Sequence, residues 1–282
     1  MGGRDFRVAF LGPLGTYSHQ AAYDKFGTAV EYHESRTIAE VFDAVASNIV
    51  HAGVVPQENS IFGGVIETYD KLRQPNVGFV RGDVVLEVQH CLLVRRGVKA
   101  EDITCIKSHE QALGQCRGFL AQNFSSASLE KVASTAAAAQ AVLTSNDCAA
   151  ICSRLCATIF DGLEILFEGI QDRSCNFTRF FILSPTQQSE LPPSSSPIGS
   201  ETRSLVRLSS KEMCISQVLA ALNMLVSRLD RRPQLESSGL SQDVYFAELT
   251  KGDSDSPWIL EVSQALQRVR ASGGKAEMLG IW

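Results

Sequence analysis

The feature that most constrains the fold of this chain is a repeated alternation of short apolar strands and amphipathic helices up to residue 183. Strand-like segments such as RVAFL at 7–11 are followed by a polar turn and then by apolar residues at helical spacing, as at 38–46. Alternation of this kind predicts an α/β domain with parallel strands. Within it, we predict one long strand over 84–94, with an apolar stretch at 91–94, and a short strand over 148–152.

The rhythm changes after a Ser/Pro-rich segment at 184–202, SPTQQSELPPSSSPIGSET, which has no apolar periodicity and is typical of a linker. Residues 203–282 then follow the order β-α-β-β-α-β, which is a ferredoxin-like pattern. The first of its helices is predicted to carry an apolar stripe from Ile215 to Leu225. We therefore predict two domains, 5–183 and 203–282, joined by this linker.

Composition and charge exclude several classes of function. The chain is 44% hydrophobic, which is enough to build sizeable cores. Its net charge of −5, without a dense Lys/Arg cluster, argues against nucleic-acid and membrane partners. No apolar run has the length of a membrane span, and the N-terminus enters a strand at once, so we expect a cytoplasmic protein without a signal peptide. The eight cysteines form no CxxC or zinc-like pattern, so we expect free thiols and no metal.

Hydroxyl and amide side chains recur where a strand is followed by a helix. Each such joint alone is an ordinary helix cap, but in an open parallel sheet the joints share the edge at which ligands bind. Several helix N-termini at one edge predict a cleft of neutral donors suited to a small anion. With no Walker loop and no GxGxxG motif, we expect no nucleotide cofactor. The joint residues are Thr16, Ser18, Asn59, Ser60, Ser108, Ser134, Thr135 and Ser153, and Gly63 would let the backbone approach the anion.

The segment 176–180, NFTRF, places an amide, a hydroxyl and a guanidinium directly before an apolar strand. Two interpretations remain open from spacing alone. The segment is either a polar turn that enters a strand, or an arginine fork for a carboxylate beside a hydroxyl donor.

The chain resembles the prephenate dehydratase family in motifs that occur in the family's order. Residues 203–282 resemble, more weakly, the ACT regulatory domain that follows in this family, with LDRRP where the family has an IESRP-like motif. The resemblance implies a catalytic domain of two α/β lobes like type II periplasmic binding proteins, with a discontinuous first lobe and the active site between the lobes. The motifs are FLGPLGTYSHQAA at 10–22, VVPQENSIFGGVIETYDKL at 54–72, IKSHEQAL at 106–113, STAAAA at 134–139, AAICS at 149–153 and NFTRFFIL at 176–183.

The resemblance also implies a reaction, the conversion of prephenate to phenylpyruvate, water and carbon dioxide on the route to phenylalanine. Aromatisation of the ring drives this reaction, so no cofactor is expected. The family assigns catalysis to Thr178, and we place Arg179 near the pyruvyl carboxylate. Glu58 and His109 are the titratable candidates for proton donation or substrate orientation. The expected substrate-binding residues are Thr16, Ser18, Asn59, Ser60, Gly63, Ser134, Thr135, Asn176 and Phe177.

Two rival functions remain. An arogenate dehydratase would use the same chemistry, and the GPLGTYS form of the first motif favours prephenate. A non-catalytic small-anion sensor is the second rival, and the intact NFTRF segment argues against it.

An ACT domain implies L-phenylalanine as an effector and assembly into a homodimer or homotetramer, for which a free face of its sheet would be available. Asp230 and Arg232 are the candidates for effector contacts. The segment EMCISQ at 212–217 lacks the family's glycine, so we expect phenylalanine inhibition to be weak or lost. The alternative is that Asp230 still receives the ligand's ammonium group.

Overall fold

The structure, a computed structural model, describes residues 6–194, 201–234 and 243–282. In this part of the chain, two β-sheets form the centres of two lobes, and a C-terminal unit extends the first sheet. Every helix and strand named below lies within these ranges.

The chain begins in lobe 1, where strands and helices alternate as the sequence predicts. Helix α2 shows why these segments form: its Thr37 cap accepts a hydrogen bond from the backbone N–H of Glu40, and its apolar face is buried. The elements are β1 (Arg7–Leu11), α1 (Tyr17–Phe26), β2 (Glu31–Ser35), α2 (Ile38–Ala46), β3 (Ala52–Asn59), β4 (Gly63–Gly64), α3 (Ile66–Leu72) and β5 (Phe79–Glu87).

The chain then crosses to lobe 2, whose five-stranded sheet has the order β10-β6-β9-β7-β8. After β10 the chain returns to lobe 1 as β11 (Phe177–Ser184), so lobe 1 is assembled from two segments. The lobe 2 elements are β6 (Cys91–Arg95), β7 (Cys105–Ser108), α4 (Glu110–Gln115), α5 (Arg117–Asn123), β8 (Ser128–Lys131), α6 (Thr135–Val142), β9 (Cys148–Cys152), α7 (Leu155–Ile159) and β10 (Leu163–Phe167).

Two expectations about the strands are wrong. The stretch 84–94 is not one strand but parts of β5 and β6, which lie in different sheets. Residues 87–90, EVQH, at which the chain changes sheets, contain no glycine or proline that would mark the end of a strand. The sheets are also mixed rather than parallel. In lobe 1, β11 pairs antiparallel with both β3 and β5, and in lobe 2, β6 pairs antiparallel with both β9 and β10.

The C-terminal unit has the predicted βαββαβ order. Its strands are arranged β13-β14-β12-β15, and β15 pairs with β5 of lobe 1, so one sheet runs through both. Helix α8 ends at Asn223, which has a positive φ of 48°. Leu225, expected on this helix, therefore lies in a strand. The elements are β12 (Arg203–Ser209), α8 (Ile215–Leu222), β13 (Leu225–Pro233), β14 (Asp243–Thr250), α9 (Trp258–Ala271) and β15 (Lys275–Ile281).

Within the described residues, both faces of the C-terminal sheet are largely covered, contrary to the expected free face, and the exposed apolar side chains Leu225 and Leu229 lie on the edge strand β13. Helices α8 and α9 cover one side. On the other side, Leu205 and Phe246 share a core with Tyr69 and Leu72 of lobe 1. Apolar area that a partner chain would have to cover is therefore already buried within the same chain.

The predicted linker 184–202 is only partly separate from the domains. Ser184 belongs to β11, and Leu191 packs against the core of lobe 1. Residues 195–200 lie outside the described residues.

All eight cysteines are free thiols. The described residues contain no cluster of three or more His, Cys, Asp and Glu side chains with metal-binding geometry. They also contain no helix with the length and apolarity needed to span a membrane.

Candidate active site

The two lobes enclose a cleft of about 740 Å³, a size typical of small-molecule sites. The N-terminal ends of α1, α3, α4 and α6 all contribute to its lining, because the strand-to-helix joints of both sheets meet here. The residues expected to bind substrate that do line the cleft are Thr16, Ser18, Asn59, Gly63, Ser134, Thr135 and Asn176, together with Thr178 and His109.

Two of the helix ends at the cleft, those of α1 and α6, are capped by predicted joint residues, Thr16 and Ser134. The cap of α4 is His109 rather than the expected Ser108, whose hydroxyl donates to the backbone oxygen of Ile151. The Ser134 hydroxyl accepts the backbone N–H of Ala137 at 3.0 Å. The Nδ1 atom of His109 accepts the N–H of Gln111 at 3.3 Å, which leaves the hydrogen of the neutral ring on Nε2. Each cap fixes a helix N-terminus whose partial positive charge is directed at the cleft.

Charged side chains are rare in this cleft. Among its described lining residues, Glu67 is the only carboxylate and none is Lys or Arg. An anion bound here would therefore be held by backbone N–H groups, hydroxyls and amides rather than by a counter-ion.

Thr178 is held at the cleft by Asn59, its partner in the β3–β11 pair. The Asn59 amide nitrogen donates to Thr178 Oγ1 at 3.0 Å and to Asn176 Oδ1 at 2.7 Å. Its amide oxygen accepts the N–H of Ile61 at 3.0 Å. Because the Thr178 oxygen accepts from Asn59, its own hydrogen can be donated to a ligand.

Four of the expected site residues lie outside the cleft. Ser60 accepts the N–H of Phe177 at 2.9 Å, and the two residues close the loop beside the cleft. Arg179 follows Thr178 in β11, and Glu58 precedes Asn59 in β3. Because neighbouring side chains in a strand alternate, Arg179 and Glu58 project from the face of the sheet opposite to the cleft.

Arg179 is already fully paired on that opposite face. Its guanidinium donates to Glu248 of the C-terminal unit at 2.7 and 2.8 Å and to Asp83 at 2.7 Å. Burial lowers the pKa of Arg179, but Glu248 and Asp83 outweigh burial and raise it above its ordinary value. The expectation that Arg179 binds a substrate carboxylate does not fit this arrangement. Glu58 is likewise paired, with Arg228 of the C-terminal unit.

Sequence reasoning missed a hydrogen-bonded chain of Tyr17, His90 and Gln115, all of which line the cleft. The Tyr17 hydroxyl lies 2.6 Å from His90 Nδ1, and His90 Nε2 lies 2.6 Å from the amide oxygen of Gln115. His90 is 2% exposed, and burial lowers its pKa, so the ring is neutral at pH 7. Its Nε2 donates to Gln115 and its Nδ1 accepts from Tyr17. His90 occupies the crossover between the lobes, which the single-strand interpretation of 84–94 concealed.

A second cavity of about 330 Å³ adjoins the cleft. Among the described residues that line the two cavities, Arg173 is the only Arg or Lys. Its neighbour Asp172 accepts the N–H of Gly118 at 2.9 Å, which fixes the loop that carries Arg173. The two cavities share Phe62, Gln115 and Asn176.

A sequence profile of the prephenate dehydratase family matches residues 8–188, which include both lobes and every cleft residue named above. The chain belongs to the prephenate dehydratase family. A bifunctional chorismate mutase/prephenate dehydratase from Pseudomonas aeruginosa is 35% identical over 98% of this chain and 73% of its own length. Arogenate dehydratase 3 from Arabidopsis thaliana is 35% identical over 83% of this chain and 54% of its own length.

Solved structures agree on the fold. A prephenate dehydratase from Arthrobacter aurescens, in complex with L-Phe, is 24% identical, has a TM-score of 0.76 and covers 98% of this chain and 89% of its own. GqqA, described as a novel type of quorum quenching acylase, is 25% identical with a TM-score of 0.77, covering 98% of this chain and 97% of its own.

In this member of the prephenate dehydratase family, both candidate effector residues are engaged in ion pairs. Asp230 accepts from Arg228 at 2.5 and 3.1 Å. Arg232 donates to Asp70 of lobe 1 at 2.6 and 2.9 Å. A ligand carboxylate or ammonium would have to displace these partners.

Proposed function

We propose that this chain is a prephenate dehydratase, which converts prephenate to phenylpyruvate, water and carbon dioxide. The observation that carries the proposal is the position of Thr178. The Thr178 side chain lies in a cleft of neutral donors. Asn59 donates to Thr178 Oγ1, so the hydroxyl hydrogen of Thr178 is free to be donated to a ligand. Membership of the prephenate dehydratase family indicates the type of reaction, and we place the Thr178 hydroxyl in that reaction.

The substrate is a dianion, and the described lining of the cleft offers it helix N-termini rather than cations, while one cation, Arg173, lies in the adjoining cavity. Preorganised N–H donors hold the carboxylates without reorganising during the reaction. Thr178 donates a hydrogen bond to the C4 hydroxyl, which leaves as water with one proton taken up. The electron pair of the breaking C–CO₂ bond enters the ring as it becomes aromatic. A cation against the ring carboxylate would oppose this loss of charge, so the lack of Lys and Arg among the cleft's described residues favours decarboxylation.

The remaining groups orient the substrate. Arg173, in the adjoining cavity, is the cation available for the pyruvyl carboxylate. Gln115 lines both cavities, and because its oxygen accepts from His90, its NH₂ group is directed away from the histidine towards a ligand. His109 offers its Nε2–H.

The test is turnover by the purified protein. Prephenate is added without metal or organic cofactor, and phenylpyruvate is measured by its absorbance in alkali. In parallel, arogenate is supplied and phenylalanine is measured. Turnover of prephenate with the higher kcat/KM supports the proposal. A preference for arogenate would make the protein an arogenate dehydratase, and binding of either anion without turnover would make it a sensor.

We propose that the C-terminal unit is an ACT-type regulatory domain and that the protein assembles as a homodimer in the cytoplasm. Since the sheet face is covered, the available surface is the edge strand β13, whose Leu225 is 63% exposed and Leu229 41%. A monomeric mass by light scattering at micromolar concentration would contradict the dimer.

Phenylalanine is expected to inhibit weakly or not at all. The turn before α8 carries Cys214 instead of glycine, and Asp230 and Arg232 are paired. Titration of phenylalanine into the prephenate assay measures this. Strong inhibition at micromolar phenylalanine would show that these pairs open for the ligand.

A further inference from the structure

The β3–β11 strand pair presents two different surfaces. In its register, Thr178 lies opposite Asn59, and Arg179 lies opposite Glu58. Because successive side chains in a strand alternate, the first pair faces the cleft and the second faces the seam, the contact between lobe 1 and the C-terminal unit. The strand pair that carries the proposed reacting hydroxyl therefore also forms part of the contact with the C-terminal unit.

The C-terminal unit holds both seam residues of this pair. Glu248 of β14 is 4% exposed and binds Arg179 through two parallel hydrogen bonds of 2.7 and 2.8 Å. Arg228 of β13 pairs with Glu58. A bidentate guanidinium–carboxylate pair fixes orientation as well as distance. The strand pair is therefore oriented from the side opposite to the substrate.

A bulge next to these pairs is also fixed at the seam. Strand β3 is irregular between the partners of Arg179 and Phe180, where Gln57 is the extra residue. Bulges re-aim neighbouring side chains and occur frequently beside active sites. Gln57 is fully buried and donates to the Tyr69 hydroxyl at 2.6 Å, and the Tyr69 ring packs on Phe246 of the C-terminal unit at 5.4 Å.

We infer that Arg179 is a positioning residue, through which Glu248 of the C-terminal unit aims Thr178 at the substrate. The inference deepens the proposed function and rests on it. If the Arg179–Glu248 fork is broken, the strand pair can shift, and a displacement of about 1 Å at a reacting group can cost about 100-fold in rate. Arg179 itself does not contact the substrate, so substrate binding should be retained.

The experiment is Glu248→Gln, assayed with prephenate. This variant keeps the shape of the side chain but loses its charge and one acceptor of the fork. We expect kcat to fall by roughly 10-fold or more, while KM stays within about two-fold. Arg179→Lys should behave in the same way, because lysine cannot form the fork. A raised KM with unchanged kcat in Arg179→Lys would instead place Arg179 on the substrate and overturn the inference.

The matched control is Asp70→Asn, which breaks the Arg232 fork. That fork also spans the seam and is also bidentate, but Asp70 lies on α3 rather than on the strand pair. Its kcat should stay close to that of the parent protein. Equal losses in the two variants would show a general loosening of the seam and would overturn the specific role of Arg179.

A second variant covers the case in which Glu248→Gln fails to fold. Glu248→Asp keeps the charge and shortens the side chain by one methylene, so it should fold and show an intermediate kcat with unchanged KM. A kcat equal to that of the parent protein would overturn the inference. Lack of prephenate turnover by the parent protein would refute the proposed function instead, so the two failures are distinguishable.

Discussion

Lobe 1 has two interfaces of opposite chemical character. Towards lobe 2 it presents the cleft, which is lined by hydroxyls, amides and helix N-termini and has almost no charged side chains. Towards the C-terminal unit it presents the seam, where Arg179 pairs with Glu248 and Asp83, Arg228 with Glu58, and Arg232 with Asp70. The same strands, β3 and β11, contribute to both.

The difference separates groups that can bind a ligand from groups that hold the structure. A guanidinium with two carboxylate partners is electrostatically satisfied, and its removal would leave both carboxylates without this counter-ion. A helix N-terminus at an open cleft has donors that only water or a ligand can satisfy. Charge is therefore a poor guide to this substrate site, although the substrate is itself a dianion.

The largest expected effect in the cleft comes from Thr178→Ala. The loss of a hydrogen bond formed mainly in the transition state should lower kcat by roughly 100-fold or more, with KM little changed. Thr178→Ser keeps the hydroxyl and serves as the control, with kcat within about 10-fold of the parent protein. Near-normal turnover by the alanine variant would show that this hydroxyl only completes the Asn59 hydrogen bonds.

A smaller but still large effect is expected for Gln115→Glu. The change preserves shape but brings a negative charge to the wall shared by both cavities, so kcat/KM for the dianion should fall by roughly 10- to 100-fold. Gln115→Met, which removes the amide without adding charge, should lose less. If the two variants lose activity equally, charge repulsion plays no part. The cleft would then be less selective for anions than its lining of neutral donors implies.

Arg173→Ala should raise KM by roughly 10-fold and leave kcat within a few-fold, because one charge-assisted hydrogen bond to a carboxylate is lost at an exposed position. Arg173→Lys should recover part of the loss. Raising the ionic strength should weaken substrate binding in the parent protein more than in the alanine variant. An unchanged KM in Arg173→Ala would show that the neutral donors of the cleft bind the substrate without Arg173.

Local patterns in the sequence predicted much of lobe 1 and its cleft. Caps such as Ser134 form within one turn of their own helix, so a single chain segment defines them. The side of the sheet on which Arg179 lies could also have been predicted: neighbours in a strand point in opposite directions, so Thr178 and Arg179 cannot both face one cleft. The interpretation of 176–180 as an arginine fork beside a hydroxyl donor overlooked this alternation.

Other features depend on contacts that no local pattern encodes. His90 faces Tyr17 and Gln115 only because the chain changes sheets between β5 and β6. The covered face of the C-terminal sheet likewise depends on the docking of Phe246 against Tyr69, far away in the sequence. An exposed face was the natural expectation for a ferredoxin-like unit considered by itself.

The smallest expected effect is a pH dependence of stability caused by His19. It tests whether the core of lobe 1 on the cleft side excludes charged side chains, as the cleft itself largely does. His19 is 2% exposed and stacks on Phe10 with ring centroids 4.6 Å apart. Burial lowers its pKa from 6.5 to about 4. Above pH 6.5 the ring is neutral in both the folded and the unfolded chain, so it contributes no pH dependence. Below that pH the unfolded chain binds a proton that the folded chain does not, and stability falls by up to about 1.4 kcal/mol per pH unit until the folded pKa is reached.

Thermal unfolding from pH 7 to pH 5 measures this effect above the ordinary pKa range of carboxyl groups. The parent protein should lose stability as the pH falls. His19→Gln should unfold at a lower temperature at pH 7, because the stack on Phe10 is lost, but its midpoint should depend less on pH. His33→Gln, at an exposed position, is the control and should follow the parent profile. If the unfolding midpoints of the parent protein and His19→Gln depended on pH in the same way, the His19 ring would accept a proton without unfolding of the protein. The cleft side of lobe 1 would then tolerate a buried charge, as the seam does.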